Sequence, residues 1–247
     1  MTSDNIKDTT TQDAPAKAVF RSEPEVSLVD FMGSDARVVQ SARVSTLGSG
    51  ALDSHGTGRF IDYLLRNRHG VPFESSVFTF LIKCPVFVSR QLVKHRISSI
   101  SEVSGRYTEL DGVFYMPGRD RPIVQTGKPG DYTFAAGTDE QRALVSRELR
   151  YQAEDGWGAY NSLLDQGVAR EIARMVLPVS VYTAMMMTVN VRSLMNLLAL
   201  RVKSSASAVP SHPQFEVDQV AQLMEEIFAD HMPLTHAAFV RNLRVAP

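Results

Sequence analysis

Apolar residues recur along this chain with two periods, and the switches between them mark its elements. Residues 27–32 read as a short strand, and residues 34–45 take up helical spacing, with Ser34 or Asp35 placed as the N-cap. A glycine-rich stretch over 47–58 predicts a loop; its Gly48, Gly50, Gly56 and Gly58 match neither the dinucleotide fingerprint nor the P-loop. Residues 58–67 return to helical spacing through Phe60, Ile61, Leu64 and Leu65. Residues 75–84 are rich in β-branched and aromatic side chains, which predicts a buried strand ended by Pro85. A helix over 86–95 follows, with Phe87, Leu92 and Val93 apolar and Arg90 and Lys94 stacked four apart on another face. Beyond a turn-rich stretch at 112–137, the spacing from Leu144 to Leu163 predicts a long amphipathic helix over 138–166. Residues 168–176 read as a shorter helix closed by Pro178. Residues 181–191 read as a strand, although their methionines also suit a helix, and helices are predicted over 193–201, 214–230 and 234–243. Few strands among several helices predict an α+β fold, with a central mixed or antiparallel sheet packed with helices. Residues 1–24 are rich in Thr, Asp, Lys, Ala and Pro without apolar periodicity, so a disordered tail is expected before one domain over 25–247.

Composition narrows the function classes. A chain of 247 residues with 44% apolar content can bury one sizeable core. Its 26 Lys plus Arg nearly balance 27 Asp plus Glu, for a formal net charge of -1, so no global field draws it to nucleic acid or an anionic membrane. No apolar run is long enough for a bilayer-spanning helix, and residues 1–17 do not show the basic-then-apolar order of a signal peptide; a cytoplasmic location is expected. The single cysteine, Cys84, excludes an internal disulfide and any multi-cysteine metal site. It ends an apolar strand beside Pro85, a setting for a buried thiol rather than a nucleophile. The six histidines show no zinc-ligand spacing and no serine sits in a nucleophile-elbow sequence, so no metal site and no serine triad are expected.

What remains is anion chemistry. Residues 94–107 read Lys-His-Arg-Ile-Ser-Ser-Ile-Ser-Glu-Val-Ser-Gly-Arg-Tyr, which places cationic forks and hydroxyl donors suited to phosphate beside one carboxylate. Each residue also has a structural reading. Cations at a helix end complement the helix dipole, and Ser99 with Glu102 fits a capping box. Arg90, Arg170, Arg174, Arg192 and Arg201 lie at or beside predicted element ends, where they too can face a polyanion.

Lys94-His95-Arg96, then seven residues, then Ser104 resembles the Arg-His-Arg-x7-Ser signature of the flavin-dependent thymidylate synthases. Further landmarks resemble that family in order: Ala42-Arg43-Val44-Ser45, Pro72-Phe73-Glu74, Val77-Phe78-Thr79-Phe80 with Arg90-Gln91, Ser104-Gly105-Arg106-Tyr107, Arg174-Met175-Val176-Leu177-Pro178 and Asn190-Val191-Arg192-Ser193-Leu194. The resemblance implies reductive methylation of dUMP to dTMP, with methylenetetrahydrofolate as carbon donor, FAD as hydride carrier and NADPH as reductant, in a homotetramer whose subunits share active sites. It implies FAD contacts for Lys94, His95, Arg96 and Glu102, and for Asn190, Val191, Arg192 and Asn196. It implies a dUMP site lined by Gln91, Leu92, Val93 and Lys94, by Glu102, Val103, Ser104, Gly105 and Arg106, and by Arg174. Arg201 is the residue it points to for activating the pyrimidine ring, and Ser104 takes a binding role.

Three positions depart from the family pattern. Lys94 stands where the signature has arginine, keeping the charge but losing the bidentate fork. Val71 stands where relatives often carry a hydroxyl, and Ser75 where histidine is usual. Residues 211–216, Ser-His-Pro-Gln-Phe-Glu, look like an affinity tag but fall within the family match and are read as native. The alternative implied by Lys94 and Val71 is a flavin- or nucleotide-binding homologue without synthase activity. A local nucleic-acid module is disfavoured by the neutral net charge and by the lack of a stacking platform near Lys94.

Overall fold

A computed structural model describes residues 17–53, 58–128 and 131–247. In chain order, β1 (Val19–Arg21) and β2 (Glu25–Met32) lead into α1 (Asp35–Leu47), α2 (Gly58–Arg66) and the single turn α3 (Val71–Glu74). Strand β3 (Val77–Pro85), α4 (Val86–Leu92), β4 (Ser99–Glu102) and β5 (Val113–Tyr115) follow, then the hairpin β6 (Val124–Lys128) and β7 (Asp131–Ala135). The chain continues through α5 (Asp139–Asp165), α6 (Arg170–Ala173), β8 (Tyr182–Asn190), α7 (Val191–Arg201), α8 (Phe215–His231) and α9 (Pro233–Arg241).

The centre is an antiparallel sheet in the order β2-β3-β8-β4. Period-two alternation turns Phe78, Phe80, Ile82 and Cys84 of β3 to the same face as Met185, Met187 and Val189 of β8, all buried. Helices α4, α7 and α8 cover that face with Val88, Leu92, Leu194, Leu198, Val220 and Met224, and this forms the main core. A second, smaller core gathers Phe114, Trp157, Tyr160 and Val181 between α5 and the start of β8. Ser34 caps α1 by accepting from Arg37 N at 3.0 Å, and Thr138 and Gln141 close a reciprocal capping box on α5, so both predicted helix starts are set by local chemistry.

Several expectations change where tertiary pairing decides. Ser99 and Glu102 form no capping box; they are the two ends of β4, paired with β8 in the register Ser99↔Thr188 to Glu102↔Met185. The open edge of β8 supplies hydrogen bonds that a local cap cannot match. Helix α4 stops at Leu92 rather than 95, and Val93 to His95 continue as a turn with Lys94 N bonded to Gln91 O. The turn-rich 112–137 stretch contains β5 and the β6–β7 hairpin. Residues 168–176 resolve into α6 and one 3-10 turn, Arg174–Val176. Within the expected tail, Val19–Arg21 pair in parallel with Val113–Tyr115; residues 1–16 lie outside the described residues. The glycine-rich stretch begins as a 3-10 helix, Gly48–Asp53, and residues 54–57 also lie outside.

Candidate active site

Strand β8 passes directly into α7 with Asn190 as the cap, and α7 ends on Arg201. There the Arg201 guanidinium meets the turn after α4. Its Nε–H donates to His95 Nε2 at 3.1 Å and its Nη1 to Gln91 Oε1 at 3.4 Å. Burial and then the Arg201 charge hold the His95 imidazole well below its usual range, at about 4. His95 is therefore neutral at pH 7, and because Nε2 accepts, its proton sits on Nδ1. Burial also lowers the pKa of Arg201, but a guanidinium stays protonated in any accessible range. Lys94 and Arg96 flank His95 and point outward, both exposed.

A second group forms on the other side of α4. Ser89 and Gln91 leave this helix about 200° apart at roughly 100° per residue, so α4 separates the two groups. Ser89 Oγ donates to Glu102 Oε1 at 3.3 Å, and Thr183 Oγ1 donates to the same oxygen at 2.8 Å. Both hydroxyl residues are nearly fully buried, which fixes the carboxylate at the mouth of a cavity of about 290 Å³. Glu102, Val103, Gly105 and Arg174 line that cavity together. Gly105 is buried against Arg174, whose Cδ would lie 3.1 Å from an added Cβ, so the glycine makes room for the arginine stem. Arg106 Nε pairs with Glu171 at 3.0 Å and Arg170 with Glu109 at 3.1 Å. These exposed pairs are each worth at most about 1 kcal/mol, so a phosphate can compete for either arginine. Ser104 accepts from Arg106 N at 3.4 Å and its carbonyl from Tyr107 N, a turn-forming role consistent with binding rather than attack.

The remaining predicted residues divide differently. Asn190 caps α7 by accepting from Ser193 N at 2.9 Å. Arg192 donates from Nη1 to Glu74 at 2.7 Å and from Nε to the backbone oxygen of Pro247 at 2.7 Å, with its guanidinium lying over Gly70. Asn196 is exposed and bonds back to Arg192 O at 3.0 Å. Asn190 and Arg192 sit at the N-terminal end of the 11-residue α7, on the order of 15 Å from Arg201 at the helix rise, and Asn196 lies midway, on the order of 8 Å from it. Val191 and Leu92 are fully buried and Val93 is partly buried against the same core, so a contact of the kind the resemblance implied would run through the backbone of Val191 and Leu92. Each is apolar on the inward face of a helix start or end.

Sequence reasoning did not name Ser89, Thr183, Gln214 or Glu216 as site residues. The usable signal was a polar residue inside an apolar run: Ser89 after Val-Phe-Val, and Thr183 within Val-Tyr-Thr-Ala. Cys84 is buried at the end of the central strand. Burial, then the nearby Glu102 charge, pushes its thiol up to about 12, so it carries no thiolate at neutral pH. Among the described residues no group of three His, Cys, Asp or Glu could hold a metal, and no helix is long and apolar enough to cross a membrane.

The family model described as "Thymidylate synthase complementing protein" matches residues 27–234. A flavin-dependent thymidylate synthase of Tropheryma whipplei (strain TW08/27) is 48% identical over 234 residues, 93% of this chain and 97% of the relative. One from Streptomyces avermitilis is 46% identical over 244 residues, covering 95% and 99%. The crystal structure of a UMP/dUMP methylase, PolB from Streptomyces cacaoi, bound with 5-Br dUMP, superposes with a TM-score of 0.88 at 44% identity, over 93% of this chain and 100% of that one. With its sequence matched across nearly the whole length of these relatives and its fold superposed on a solved methylase, the chain belongs to the flavin-dependent thymidylate synthase family.

Proposed function

We propose that this chain methylates dUMP to dTMP, with methylenetetrahydrofolate as the carbon donor, FAD as the hydride carrier and NADPH as the reductant. The observation that carries this reading is the half-buried Arg201 cation held by two neutral acceptors, His95 and Gln91. Those bonds occupy two of its five donors and leave three for a ligand. A planar cation beside the N3–O2 edge of uracil stabilises negative charge on the ring and so makes C6 a better hydride acceptor. Arg174 and Arg106 supply charge and donors for the phosphate of dUMP, with Ser104 and Gly105 shaping the turn and the Glu102 carboxylate fixed by Ser89 and Thr183; since α4 separates this group from Arg201 within one chain, the two meet on one dUMP across subunits of the assembly.

The donor set also fits a flavin dinucleotide. Exposed Lys94 and Arg96 can meet a diphosphate, and Arg192 and Asn196 lie on the surface beside exposed Val71. Bound FAD would supply reversible hydride transfer; His95, neutral, adds no competing positive charge beside Arg201. Because the Lys94 and Arg192 groups lie at opposite ends of α7, a flavin site shared between subunits accounts for both, and a homotetramer is part of the proposal. Exposed Ile97 and Val71 beside the two groups and exposed Met175 and Val179 beside the cavity are apolar surface such an assembly would cover. Cys84 takes no part.

Purified protein assayed for dTMP formation from dUMP, methylenetetrahydrofolate and NADPH, with and without added FAD, tests the reading. FAD-dependent product is expected. A yellow, dUMP-binding protein that makes no dTMP would overturn it in favour of a binding-only homologue.

A further inference from the structure

The Ser-His-Pro-Gln-Phe-Glu segment contributes two residues, Gln214 and Glu216, to a polar path that ends on Arg201. Glu216 lies at the start of α8 with its side chain 3% exposed. One carboxylate oxygen accepts from the Tyr115 hydroxyl at 2.7 Å and from Arg121 Nε at 2.7 Å. The other accepts from Gln214 Nε2 at 2.9 Å. Gln214 Oε1 in turn accepts from Gln91 Nε2, a contact spanning 123 residues of sequence, and Gln91 Oε1 accepts from Arg201 Nη1.

We propose that Glu216 acts through Gln214 and Gln91 as a positioning residue for Arg201, by fixing the donor and acceptor sense of both amides. A carboxylate can only accept, so Gln214 must turn its amino group toward Glu216 and its carbonyl toward Gln91. Gln91 must then offer its amino group to Gln214 and its carbonyl to Arg201. Inverting either amide sets donor against donor in a half-buried setting, which costs the desolvation of the unpaired group. Burial pushes the Glu216 carboxyl up, but the Tyr115 and Arg121 hydrogen bonds outweigh it and hold the group below the usual carboxylate range, hence ionised at neutral pH. The Glu216, Arg121 and Tyr115 cluster would be complete as a structural ion pair without the glutamines; the two amides are what extend it to the guanidinium. The inference rests on the reading of Arg201 as the group that activates the pyrimidine.

Glu216→Gln tests it. The new amide keeps its oxygen toward Tyr115 and Arg121 and presents its amino group to Gln214, which inverts Gln214 and then Gln91 and drives Arg201 off its position. Pairing Glu216→Gln with Gln214→Glu puts an acceptor-only group back beside Gln91 at unchanged net charge. Two readouts are taken on folded, flavin-loaded protein: kcat and KM for dUMP, and the NMR titration of His95, which reports where Arg201 sits whatever its chemistry. In the single variant kcat is expected to fall about tenfold with KM for dUMP within about twofold, and the swap is expected to bring kcat back to within about threefold. The His95 titration should rise from about 4 in the single variant and return in the swap. A His95 titration unmoved in the single variant, or moved but not restored by the swap, overturns the positioning role. A His95 titration that moves and recovers while kcat stays constant supports the positioning and overturns the reading of Arg201. If Glu216→Gln does not fold, Gln214→Met severs the path and leaves the Glu216 cluster intact; the same loss of kcat and rise of the His95 titration are expected, and an unmoved titration overturns the proposal.

Discussion

Helix α7 carries an arginine at each end, and the two are held by opposite kinds of partner. Arg192 faces the Glu74 carboxylate at 2.7 Å, so its charge is largely compensated within the fold. Arg201 faces an imidazole and an amide, both neutral, and among the described residues no carboxylate pairs with it. An arginine bonded only to neutral acceptors is oriented without being spent electrostatically. It can stabilise charge that appears elsewhere at once, whereas a carboxylate-paired arginine must first give up its partner to a ligand.

Replacing Arg201 by lysine should break this contrast most severely. Charge remains but the planar fork is lost, so kcat should fall by about two to three orders of magnitude while dUMP binding, followed by calorimetry, is largely kept. Near-normal turnover would remove Arg201 from the activation role. Gly105→Ala should act next, because the new Cβ would press on Arg174 at 3.1 Å; dUMP affinity should weaken by about tenfold with kcat less affected, as steady-state kinetics can show.

Acid separates the two ends of α7 by a different route. The folded protein holds His95 at about 4 against a usual 6.5, so between these values the unfolded chain binds more protons. The stability associated with neutral His95 is therefore complete above pH 6.5 and is lost as pH falls toward 4. Urea midpoints measured at pH 7 and pH 4.5 should differ more for the parent than for His95→Gln; equal differences would show that neither burial nor Arg201 depresses His95 in the fold. The smallest effect is expected from Glu74→Gln, which leaves Arg192 uncompensated at a half-exposed position. Flavin retention should tighten by no more than about fivefold, the scale of one surface ion pair, and a loss of retention would mean that Arg192 serves the fold alone.

Elements whose period and ends are set locally were legible in the sequence. Strand β3, with its buried alternation, and α5, with Thr138 and Gln141 closing its start, are of this kind. Strand β4 was not, because Ser99 and Glu102 satisfy a local capping pattern and only the edge of β8 decides against it. The site divides on the same line. The 94–107 segment and Arg201 were reached through the family resemblance, and the structure does bring Arg201 to His95 and Gln91 and Arg174 to Glu102 and Gly105. Ser89, Thr183, Gln214 and Glu216 escaped because their work consists of side-chain hydrogen bonds across long stretches of chain, 81 residues from Thr183 to Glu102 and 123 from Gln91 to Gln214. Leu92 and Val191 turn their side chains into the core, a direction that adjacency to a motif does not give.

Asn190 closes the central strand and caps α7 in one residue, so no loop absorbs error between the sheet and Arg201. Inserting a single residue after it would swing Arg201 about 100° around the helix axis. Length between these two positions is thus under the same constraint as chemistry, and the spacing from the sheet to the guanidinium works as a ruler.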